Sequence, residues 1–74
     1  MGQLPVVSGD QARKVLEQKA SVFQRQNGSH MVLTKPGSIY TIAVPRHKEL
    51  ATGTLRRIIR DAQMTVDEFV QALH

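Results

Sequence analysis

The chain has 74 residues, 41% of them hydrophobic and 22% charged, with no cysteine, no tryptophan and a net charge of +4. This length suits one small domain, residues 1–74, and the lack of thiols excludes disulfides and thiolate metal sites. No stretch is apolar over the ~20 residues that a membrane helix needs. The start, "MGQLPVV", has neither the charged beginning nor the apolar run of a secretory signal, so a cytoplasmic protein is expected. Gly2 raises the question of myristoylation, but Val6 stands where Ser or Thr is wanted.

A helix is expected from Ser8 to about Lys19. Ser8 and Gln11 have the spacing of a capping box, and Asp10 adds negative charge where the helix dipole favours it. Ala12, Val15 and Leu16 recur at helical spacing and mark one apolar face. Val22 and Phe23 then open a short β-prone run. Asn27-Gly28 has the chemistry of a tight hairpin turn, both residues tolerating positive φ. "HMVLTK" reads as the second strand, "PGS" as a turn, and "IYTIAV" as the third strand, ended by Pro45, which cannot donate to a ladder.

A second helix is expected to start near Gly53-Thr54. Leu55, Ile58, Ile59 and Ala62 share one face, and Arg56, Arg57 and Arg60 fall on the other. A third, short helix begins at Thr65, with Glu68 completing another capping box; its apolar residues are Val66, Phe69, Val70 and Leu73. The order α-β-β-β-α plus a terminal helix implies an α+β sandwich with both main helices on one face of an antiparallel meander. A domain this small has little interior to spare, so its site is expected at the surface.

The charge is unevenly placed. Arg46, Lys48, Arg56, Arg57 and Arg60 are opposed only by Glu49 in their stretch, while the rest of the chain balances. Such a patch suits phosphate groups, as in nucleic acid, or simply a solvated helix face. Phe23, Tyr40 and Phe69, the only aromatic side chains, offer no stacking platform, so loose sequence selectivity is expected. His30, His47 and His74 lack metal-ligand spacing, and no phosphate-binding glycine loop occurs. No metal or cofactor is expected.

His30 is adjacent to Ser29, but neighbours on a strand point to opposite faces, which excludes a serine–histidine pair. His30 follows a glycine turn, where a substrate backbone can come close. An imidazole can give or take a proton near neutral pH. From the residues alone it is either such a group or a polar residue beside a hairpin. Arg46, His47 and Lys48, following Pro45, form a second candidate, or a solvated turn.

"NGSHMVLTKPGS" followed by "IAVPRHKELATGTLRRIIRDAQMTVDEF" resembles the HicA family of toxins from HicA–HicB toxin–antitoxin modules. Gly28-Ser29-His30 stands where that family has Gly-Ser-His or Gly-Gly-His at the start of strand two. Val44-Pro45-Arg46-His47 matches its Val-Pro-x-His step, and Glu49-Leu50, Gly53-Thr54-Leu55-Arg56, Ile58, Ile59, Arg60 and Ala62 continue the match. The resemblance runs from Ser8 to about Leu73. It implies a double-stranded-RNA-binding-domain-like fold and a ribosome-independent, metal-independent endoribonuclease acting on mRNA, with His30 as the catalytic residue. It also implies a HicB-type antitoxin as partner, the toxin being a monomer when free and a hetero-oligomer with the antitoxin. Gly28, Ser29, Arg46, His47, Lys48, Arg56, Arg57 and Arg60 are the residues expected to meet RNA. A non-catalytic RNA-binding module of the same fold is the alternative. The chain departs from the family in three places. Ala20-Ser21 replaces Gly-Trp or Gly-Phe after the first helix, Met31 replaces a second histidine, and Gln63 replaces the glycine that closes the second helix.

Overall fold

The computed structural model describes residues 4–73; Gly2, with its myristoylation question, and His74 lie outside them. The elements run α1 (Gly9–Gln18), β1 (Val22–Asn27), β2 (His30–Thr34), β3 (Thr41–Pro45), α2 (Thr52–Asp61) and α3 (Val66–Ala72). The strands form one antiparallel sheet in the order β1-β2-β3. This is the α+β, double-stranded-RNA-binding-domain-like arrangement expected, with the short extra helix at its end.

Local chemistry sets the helix starts. Ser8 and Gln11 form the reciprocal capping box of α1, and Thr65 and Glu68 form that of α3. Helix α2 starts at Thr52, after Ala51, which supplies no side-chain cap. At its other end the Lys35 ammonium donates to the Ala62 carbonyl at 3.0 Å, a cation where the helix dipole is negative.

Alternation sets the sheet's two faces. Met31 and Leu33 of β2 and Ile42 and Val44 of β3 are buried under α1 and α2, together with Ala12, Val15, Leu16, Leu55, Ile58 and Ile59. Phe69 of α3 is fully buried in the same cluster. Each large side chain so enclosed is worth roughly 1.5–3 kcal/mol relative to exposure. His30, Val32 and Thr34 alternate to the outer face, which no helix covers among the described residues.

Two boundaries differ from the sequence reading. Asn27 belongs to β1 and pairs with His30, so the hairpin residues are Gly28-Ser29 rather than Asn27-Gly28. Gly28 has φ +63° and Ser29 is not in the left-handed region, the pattern of a turn that needs glycine only at its first central position. Ile39 and Tyr40 precede β3 and are exposed, Ile39 at 92%.

Candidate active site and nucleic-acid interface

The Gly28-Ser29 turn places His30 at the first position of β2, exposed on the outer face, between Asn27 of β1 and Pro45 of β3. The turn is held from two sides. The Gln26 amide donates to the Gly28 carbonyl at 3.1 Å, and the Arg46 backbone N–H donates to the Ser29 carbonyl at 2.7 Å. The second bond puts Ser29 and Arg46 at a hydrogen-bonded position of the ladder, so Pro45 occupies a non-bonded one. Its missing N–H therefore faces the free edge of β3 and costs the ladder nothing.

The same bond brings the loop of Arg46, His47 and Lys48 beside the turn. The loop is fastened to the start of α1: the Gly9 N–H donates to the His47 carbonyl at 2.8 Å, and the Leu50 N–H to the Val7 carbonyl at 2.8 Å. The Arg46 guanidinium lies 3.5 Å from the Asp10 carboxylate, both about half exposed. Gly28, Ser29, His30, Arg46, His47 and Lys48 thus gather at one end of the sheet, all of them exposed.

The arginines of α2 separate. Arg56 and Arg60, one turn apart, line a shared groove with Ile59, Met64 and Thr65, and Arg60 also lies beside Tyr40 and Gln63. Arg57, expected on the solvent face, is half-buried. It donates to the Ala43 carbonyl on the free edge of β3 at 3.2 Å and pairs with Asp61 at 3.5 Å. Arg60 shares Asp61 at 3.7 Å. The cause is simple: a long side chain on the flank of a helix can lay its stem against the sheet and satisfy an unpaired edge carbonyl. The six residues at the sheet end form one cluster; Arg56, Arg57 and Arg60 of α2 stand apart from it, the last two facing the Asp61 carboxylate.

Two residues near this cluster went unread in the sequence. Gly9 packs so closely on Pro45 that a Cβ there would overlap the Pro45 carbonyl oxygen; its only signal was a poor helix former in the first turn of a well-capped helix. Arg25 shares the outer face with His30, a placement set by a bulge between Phe23 and Arg25. Of the aromatic rings, Phe69 is buried and Phe23 lies under the Arg13 guanidinium, 3.9 Å from its centroid, whereas Tyr40 is exposed. Among the described residues no three His, Asp or Glu side chains gather as a metal-ligand set.

A small basic α+β domain of the double-stranded-RNA-binding-like class, with a histidine presented on its bare sheet face, is what this arrangement defines. Residues 9–64 match the family model described as the HicA toxin of bacterial toxin–antitoxin. The chain belongs to the HicA toxin family, and is accordingly the toxin of a toxin–antitoxin module, with an antitoxin as its partner. A search among curated proteins found no match. Among the described residues no helix is long and apolar enough to cross a membrane.

Proposed function

We propose that this toxin is a metal-independent endoribonuclease that cleaves mRNA without the ribosome, with His30 as its single catalytic histidine. The observation that carries the reading is the exposure of His30 on the outer face, beside a turn whose Gly28 has open space where a side chain would stand. The chemistry that fits is attack of a ribose 2′-oxygen on its own 3′-phosphorus. The 2′-hydroxyl loses its proton, a P–O bond forms, and the bond to the 5′-oxygen breaks, leaving a 2′,3′-cyclic phosphate and a 5′-hydroxyl end. The His30 imidazole takes the first proton or gives the second, typically worth 10²–10⁴-fold.

Arg46 and Lys48 stabilise the negative charge that builds on the phosphoryl oxygens, with Arg56 of α2 as a third candidate cation. Gly28, Ser29, His47, Arg57 and Arg60 extend the RNA-binding surface, with Arg57 and Arg60 weakened by Asp61. Dependence on the 2′-hydroxyl accounts for a preference for RNA over DNA. A HicB-type antitoxin neutralises the toxin by covering His30 and the basic loop, and a carboxylate-rich surface on it would suit these charges.

The test is incubation of the purified protein and its His30→Ala variant with a long transcript in EDTA. Fragments from the wild type and none from the variant are expected. A stable complex without fragments would make the protein an RNA-binding module instead. Equal cleavage by the variant would remove His30 from the chemistry.

A further inference from the structure

Strict alternation along β1 places Phe23 inward and would place Arg25 inward too. The bulge breaks that count. Gln24 is the extra residue, its amide donating to the Thr34 hydroxyl at 2.8 Å on the outer face, and Arg25 pairs with Val32 on that same face. Phe23 stays inward beneath Arg13. Two residues on, Asn27 pairs directly with His30. Side chains directly opposite stand ~4.5–5.5 Å apart at Cβ, and a diagonal pair ~7–8 Å. Arg25 and His30 are such a diagonal pair, with Asn27 between them. An arginine fork and an imidazole at that separation can both reach one phosphodiester.

The charges around His30 differ in availability. Arg46 faces Asp10, and Arg57 and Arg60 face Asp61. Arg25 is exposed and makes no ion pair with any described residue. It is also the arginine that shares the sheet surface with His30, whereas Arg56 belongs to the helix layer.

We propose that Arg25 and Asn27 form a phosphate-binding site on the outer sheet face, next to His30, so that the RNA strand crosses the bare sheet as well as meeting the basic loop. Arg25 grips two non-bridging oxygens with its planar fork, and the Asn27 amide donates to the same phosphate or to the adjoining sugar. The site deepens the reading of the toxin as a ribonuclease and rests on it.

Two measurements test the site separately from that reading. Cleavage of a defined RNA oligonucleotide is followed for the wild type and for His30→Ala, Arg25→Ala and Arg25→Lys. Arg25→Ala is expected to lower kcat/KM on the order of 10–100-fold, with Arg25→Lys recovering only part, because an ammonium lacks the bidentate fork. Binding of the same oligonucleotide is then followed against salt in the His30→Ala background, where no product forms. Adding Arg25→Ala is expected to flatten the slope of log K against log salt by about 0.7, the loss of one phosphate contact. A wild type that leaves RNA intact, or a His30→Ala variant that cuts it, overturns the ribonuclease reading. A wild type that cuts, an inert His30→Ala variant, and Arg25→Ala at the wild-type rate with an unchanged salt slope overturn the Arg25 site alone. Arg25→Gln serves as a second variant, and melting temperatures near that of the wild type confirm that each is folded.

Discussion

The backbone N–H of Gly9 donates to the carbonyl of His47 at 2.8 Å, which joins the start of α1 to the loop beside the candidate catalytic histidine. The contact is possible because Gly9 has no Cβ to meet the Pro45 carbonyl oxygen. Replacing Gly9 with Ala is therefore expected to destabilise the fold by about 1–3 kcal/mol, the usual cost of forcing an extra carbon into a packed contact. It should also lower RNA cleavage by displacing Arg46 and Lys48. Denaturant melts and cleavage rates measured on the same sample check both effects. A variant with wild-type stability and activity would show that the loop position does not matter.

The two neighbouring arginines of α2 should behave differently. Arg57→Ala removes the hydrogen bond to the Ala43 carbonyl and is expected to cost about 1 kcal/mol of stability; its ion pair with Asp61 is exposed enough to add little. Arg56→Ala removes an exposed charge, should leave stability within about 0.5 kcal/mol, and should lower RNA affinity and its salt dependence. Thermal melts and salt titrations of the two single variants distinguish them. Identical profiles would contradict the division of roles.

Ala20 and Gln63 have φ of 73° and 59°, the only non-glycine residues in the left-handed region among those described. They stand where the family's pattern has glycine after the first helix and at the close of the second. The left-handed conformation costs a side-chain-bearing residue roughly 1–2 kcal/mol, against ~0.4–1 kcal/mol for the extra freedom that glycine brings to the unfolded chain. Ala20→Gly and Gln63→Gly are each expected to raise the melting temperature by a few degrees, since ~1 kcal/mol corresponds to ~4–8 °C in a domain of this size. A fall in Tm for both variants would show that the strain is relieved some other way.

Glu68 gives the fold a pH dependence. The Thr65 backbone N–H donates to its carboxylate at 2.8 Å. That bond first, then the Thr65 side chain, and more distantly the charges of Lys19 and Lys35, hold its pKa below the ordinary carboxylate value. The fold therefore favours the ionised form. The stabilisation is complete above the ordinary glutamate pKa of about 4.3, and is lost as the pH falls through the lower folded value. Glu68→Gln, which cannot ionise, is expected to be less stable than the wild type at neutral pH, with the gap closing in strong acid. Melting curves from about pH 7 to about pH 2.5 follow it; a gap that stays constant with pH would assign the difference to shape rather than charge.

The parts of this molecule legible in its sequence are those set by neighbours along the chain. Ser8 with Gln11 and Thr65 with Glu68 announced their helices, because a capping box closes within four residues. Leu55, Ile58, Ile59 and Ala62 announced a buried face, because helical periodicity is a property of the chain itself. Pro45 marked a strand end and Gly28 a turn. His30 was legible as a candidate, but whether its ring faced solvent depended on which side of the sheet the helices would cover.

What only the tertiary structure decided is where each cation is spent. Nothing local says that Arg57 will bend onto the Ala43 carbonyl, that Asp10 will meet Arg46, or that Gly9 must be bare because Pro45 lies against it. The bulge after Phe23 turns Arg25 to the outer face against the simple alternation of β1. In each case the deciding partner sits on another element, and a strand edge or a carboxylate acts on a guanidinium through space, whatever the distance along the chain.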